Sequence, residues 1–132
     1  MVSKRHKAVP VTMAVTNVQR GRIADLDAFV LGPRIRHSSV FYVHVRVKNA
    51  SRRELDGRRV LLFGQVSAHR VVQPVRFGPS YPRCDDTPLP TPFRAGAIAR
   101  VCLVMAVPRH GPLLSVQWRG HRPRDVTVWR TR

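Results

Sequence analysis

A chain of 132 residues, 43% of them hydrophobic, can bury a core as one domain and is too apolar to be disordered. No run reaches the ~18 apolar residues of a membrane span, and the longest, residues 101–107, has the length of a strand. The 24 Lys and Arg outnumber 7 Asp and Glu, for a formal net charge of +17. Only Lys4, Lys7 and Lys48 are lysines, so the excess is arginine.

Eleven prolines and eight glycines are spread along the chain and leave few windows that could hold three uninterrupted helical turns. Val, Phe, Tyr, Thr and Trp fill the segments between them, as strands prefer. Residues 1–8 are basic, with no apolar stretch of the signal-peptide kind, and read as a tail. Residues 9–18 (VPVTMAVTNV) alternate, with Val11, Met13 and Val15 on one face and Thr12 and Thr16 on the other. Residues 23–29, which carry Asp25 and Asp27, suit an edge strand or local charge pairing with nearby arginines.

Residues 40–48 (VFYVHVRVK) are the best strand in the chain. Phe41, Val43, Val45 and Val47 share one face, and Tyr42, His44, Arg46 and Lys48 share a face predicted to be solvated. Residues 60–66 and 71–77 are further strand candidates. Residues 78–96 have no strand character and hold five prolines and Cys84, the pattern of an ordered loop across one end of the domain. Residues 97–107 are apolar on both faces, as in a central strand. In residues 113–119, Leu114, Val116 and Trp118 fall in phase. Residues 125–130 are a final strand or tail. Turn residues separate these runs, among them Gly32-Pro33, Asp56-Gly57, Gly78-Pro79 and Gly120. About seven strands without helical crossovers predict an all-β antiparallel sandwich of the immunoglobulin-like type over residues 9–120, with 121–132 as a basic tail or last strand.

Catalytic patterns are missing from the sequence. The six histidines form no HExxH or HxH motif, and Ser38, Ser39 and Ser51 are not in a nucleophile elbow. Neither Asp25 with Asp27 nor Asp85 with Asp86 has the five or six oxygen ligands a calcium loop needs. The expectation is a protein that is not an enzyme and uses no cofactor or metal. The only cysteines, Cys84 and Cys102, lack zinc-type spacing, which leaves one disulfide or two buried thiols. The arginines admit two readings: polyanion binding, or the composition that a G+C-rich genome imposes. Candidates for polyanion contact are Arg52, Arg53, Arg58 and Arg59 around the turn after the residue 40–48 strand. To these are added Arg119, Arg122, Arg124, Trp129 and Arg130, which interleave cations with aromatics near the C-terminus. Trp118 reads as core, and Trp129 as the freer of the two tryptophans.

Several segments in combination resemble the telokin-like (DUF4352-like) bacterial immunoglobulin-like domains found in actinobacterial lipoproteins and secreted proteins. They are the first strand VPVTMAVTNVQRG, the long strand ending at Asn49 and running on to Leu55, the segment PFRAGAIARVCLVMAVPRH (residues 92–110), and Cys84 in the loop before it. The match spans roughly residues 9–118. It implies a β-sandwich, a disulfide joining the loop to the strand, no catalytic residues, and an extracytoplasmic setting whose signal sequence is absent from this chain. The function expected on that footing is an accessory binding module that presents loops and sheet edges to another protein or an anionic polymer. The other expectation is an arginine-rich component of an intracellular or viral assembly that binds nucleic acid by charge, with a cytoplasmic or virion location.

Overall fold

Alternation of apolar residues puts one face of each long strand in a shared interior. The computed structural model describes residues 4–5, 11–26, 36–55, 60–75, 84, 88–119 and 126–131. Eight strands are formed: β1 Lys4–Arg5, β2 Val11–Arg20, β3 Ser39–Asn49, β4 Phe63–Ser67, β5 Arg70–Val72, β6 Ile98–Val107, β7 Ser115–Arg119 and β8 Val126–Arg130. They make two antiparallel sheets, ordered β1-β2-β3-β6 and β5-β4-β7-β8. Val75 adds a single bridge on the far side of β6, its N–H donating to the Val104 carbonyl at 2.8 Å. That strand order is the immunoglobulin one, four positions in each sheet, so the molecule is an immunoglobulin-like β-sandwich.

Val15, Val43, Val45, Leu103 and Met105 of the first sheet meet Leu62, Val116 and Trp129 of the second in one core. Full burial of a side chain of this size contributes about 1.5–3 kcal/mol. Register irregularities keep the pattern in phase. Val15 pairs with Val45 and Asn17 with His44, so Thr16 is an extra residue in β2. This bulge turns Val18, not Asn17, toward the core beside Val43, and the Thr16 hydroxyl donates to the His44 carbonyl at 3.2 Å. Gly64 lets the sheets approach, since a Cβ there would lie 2.8 Å from Leu113 Cδ1 and 3.3 Å from Met105 Sδ. Gly96, at φ +76°, takes the left-handed position in the turn closed by Ala97 N–H to the Arg94 carbonyl at 2.9 Å.

The lower end of the sandwich is tied by Asn49, a buried residue whose amide is fully used. Its Nδ2 donates to the carbonyls of Arg53 and Phe93, both at 2.8 Å. Its Oδ1 accepts from the Ser51 N–H at 2.9 Å and the Ser51 hydroxyl at 2.7 Å. Leu55 and Phe93 exchange backbone hydrogen bonds of 2.8 and 3.0 Å next to it, and the Phe93 side chain enters the core.

A second, smaller apolar cluster sits on the outer face of the first sheet. Val40, Tyr42, Cys102 and Val104 are covered there by Cys84, with Ile23 at the margin. A disulfide joins Cys84 to Cys102, Cα to Cα 4.9 Å, across 18 residues of sequence.

The 97–107 run is flanked as expected, by β3 on one side and the Val75 bridge on the other, with Cys84 on its outer face. Several other expectations are corrected by this arrangement. The outer face of β3 is solvated only in its second half, since Tyr42 is buried. Ile23–Leu26 is a 3-10 turn and not an edge strand; Asp27 lies outside the described residues. The loop over residues 78–96 does more than cross one end: Cys84 lies on the sheet face, while Leu89 and Phe93 belong to the core. The N-terminal segment is not wholly a tail, because Lys4 pairs with Met13 and Arg5 with Thr12. At the C-terminus, of the two alternatives, tail or final strand, the strand is formed: β8 carries the buried Trp129.

Two stability predictions follow from these ties. Asn49→Ala removes four hydrogen bonds from a buried tie between two segments, and should lower the unfolding free energy by about 2–3 kcal/mol in a denaturant titration. The Cys84→Ala/Cys102→Ala pair should cost roughly 3 kcal/mol by the chain-entropy relation. Unreduced, natively purified protein should take up no alkylating reagent in an intact-mass measurement.

Candidate functional site

A cleft of about 920 Å³ opens at the end of the sandwich where β2 stops and β3 begins. Both sheets line it: Val18, Arg20 and Phe41 from the first, and Gln65, Ser115, Gln117, Val128 and Arg130 from the second, with Leu113 and Leu114 from the segment before β7. Its polar wall is a short hydrogen-bonded row. The Ser115 hydroxyl donates to Gln65 Oε1 at 2.9 Å, and Gln117 Nε2 donates to the same oxygen at 3.3 Å. Arg119 Nε and Nη2 donate to Gln117 Oε1 at 3.2 and 3.1 Å, and its guanidinium lies 5.6 Å from the Phe63 ring centroid. Arg20 stacks over Phe41 at 5.7 Å. Among the described residues, no acidic side chain lines the cleft.

Beside the cleft runs β8, the last strand of its sheet. Val126 and Val128 are 40% and 47% exposed, and neighbouring Leu114 is 44% exposed. Among the described residues, no strand pairs with the outer edge of β8. An open edge flanked by exposed valines is a surface that folded proteins usually blunt.

The outer face of the first sheet is divided in two. Rows Tyr42–Val104 and His44–Cys102 lie at the disulfide. The next two rows are Arg46–Arg100 and Lys48–Ile98. Lys48 and Arg100 are exposed, Arg46 is half-buried, and Ile98 is 50% exposed. Like charges directly opposite one another destabilise a sheet, and no strand supplies a carboxylate to offset them. None of the described strands contains an Asp or Glu.

The residues singled out from the sequence do not form one patch. Arg52 and Arg53 are exposed in the turn beyond Asn49. Arg119 and Arg130 stand at opposite ends of the β7–β8 ladder, opposite Val126 and Ser115 respectively. Trp129 is not a free aromatic; it is buried in the core, while Trp118 is half-buried against it. Arg58, Arg59, Arg122 and Arg124 lie outside the described residues. Reading the sequence missed the Arg46–Arg100 pairing and the cleft. Arg46 and Lys48 were visible as a polar face, but Arg100 stands 54 residues further on, and only the β3–β6 register brings it alongside.

Among the described residues no group of three or more His, Cys, Asp or Glu is placed to hold a metal ion, and no helix is long and apolar enough to cross a membrane. No family model, curated protein or solved structure matches the chain.

Proposed function

We propose that this protein is a non-catalytic binding module, of the telokin-like kind, that accepts an extended segment of a partner protein along β8 and into the adjoining cleft. The observation that carries this reading is the open β8 edge, with Val126, Val128 and Leu114 exposed beside Arg20 and Arg130. An added strand would gain main-chain hydrogen bonds from the edge, and its alternate side chains would rest on the valines. The described lining of the cleft contributes two guanidinium groups and no carboxylate, so the segment it suits is acidic as well as apolar. The disulfide supports an extracytoplasmic setting, where such bonds persist.

A synthetic ten-residue peptide alternating valine with glutamate, and its lysine counterpart, test the reading by calorimetry and amide hydrogen exchange. The glutamate peptide should bind and slow exchange at residues 126–130. Arg20→Ser/Arg130→Ser should weaken it by about tenfold, the scale of two lost charge-assisted contacts. Equal binding of both peptides, or no protection along β8, overturns the proposal.

A further inference from the structure

We infer that the open half of the first sheet's outer face is a second binding surface, and that its ligand is a linear phosphodiester polymer. This rests on residues separate from the cleft and does not depend on the β8 reading. The face is assembled by register alone. Arg46 stands directly opposite Arg100 in adjacent strands, and Lys48 follows one row further on. Strands are about 4.8 Å apart, and successive same-face residues about 6.6 Å apart, so the three cations fall within one small, flat patch.

The surrounding residues sharpen the assignment. Thr12 and Ala14 fill the same two rows on β2, so no bulky side chain rises between the cations there. None of β2, β3 and β6 contains an acidic residue, so these strands themselves offer the guanidinium groups no ion pair. Two arginines and a lysine presented together match the spaced, singly charged oxygens of a phosphodiester chain, whose binding releases condensed counterions. Tyr42 on this face is buried in the Cys84 cluster, and the half-buried His44 is the one ring in the row next to Arg46 among the described residues. With no platform of several exposed rings, the polymer is held chiefly by its backbone charge, with little base preference. The disulfide marks one border of this surface, because Cys84 packs on Val40, Tyr42, Cys102 and Val104, in the rows next to Arg46.

The test compares two double variants of equal charge. Arg46→Thr/Arg100→Thr removes the paired cations from the face. Arg52→Thr/Arg53→Thr removes two exposed cations from the turn beyond Asn49. Each is titrated against fluorescent dT20 across a salt series, with folding checked by near-ultraviolet circular dichroism. The sheet variant should lose at least about tenfold in affinity at 0.15 M salt, and its slope of log K on log salt should flatten by about 1.4, the value for two lost single-strand phosphate contacts. The turn variant should change less than about threefold. If the double sheet variant fails to fold, Arg100→Gln serves, with a slope change of about 0.7. Glycerol-phosphate polymer of matched charge should bind wild type as well as dT20 does. Equal losses in the two double variants mean diffuse attraction to a +17 protein and overturn the inference. Loss of binding to phosphatidylglycerol vesicles with dT20 unaffected would assign the face to a membrane surface instead, and also overturns it.

Discussion

The bond between Cys84 and Cys102 decides what the first sheet shows to solvent. Cys102 stands in mid-strand, on the face that in a two-layer sandwich would be bare. Through it the chain between β5 and β6 is held against Val40, Tyr42 and Val104, and a second apolar cluster forms outside the main core. Without this anchor those side chains would be a hydrophobic patch on the outer face of the sheet. With it, β6 can be apolar on both faces. The same bond leaves the remainder of the face uncovered, and that remainder is where Arg46, Lys48 and Arg100 stand.

The position of the cations depends on register, and register depends on how the strands end. At the lower end, the Asn49 backbone N–H donates to the Ala97 carbonyl at 3.0 Å, and the Gly96 N–H donates back to the Asn49 carbonyl at 2.9 Å. The Asn49 side chain then fixes the turn after β3 and the Phe93 segment before β6. A slip of one residue would turn Arg100 inward and expose Val101. A buried amide with every hydrogen bond made is a strong guard against such a slip, because each misregistered state leaves it unsatisfied. The pairing of two arginines, unfavourable on its own, is therefore imposed by the Asn49 tie and the inward-facing valines rather than chosen by the arginines.

What could be read from the sequence was the part governed by local alternation. Strand β3 and its inward face, the strand character of β2 and β6, and the sandwich class all follow from period-2 patterns within single segments. The pairing of Cys84 with Cys102 was open on the residues alone and followed from a family resemblance. Errors arose where distant segments meet. Tyr42 looked solvated because the loop that covers it lies more than 40 residues away in sequence. Trp129 looked free because only the register Val116↔Trp129 reveals that it faces the core. The Thr16 bulge could not be seen in the pattern, yet it decides that Val18 packs inward. The cleft was invisible for the same reason, since its walls come from both sheets and from five separate stretches of chain.

Net charge alone would make the whole surface attractive to anions, and bulk charge is screened over about 8 Å at physiological ionic strength. What survives screening is local: which cations stand close together, and which lack a carboxylate nearby. By that measure the arginines differ. Arg119 is engaged by Gln117 and Phe63, and Arg20 by Phe41. Arg46 and Arg100 face each other across a ladder that contains no acid. The described strands carry cations and no acid, so the choice of ligand falls to geometry. A concave end between two sheets, bordered by an open edge, suits one extended chain entering at its side. A flat face with three cations in two rows suits a polymer lying across it. The two surfaces share no residue, and a partner could occupy either without displacing the other.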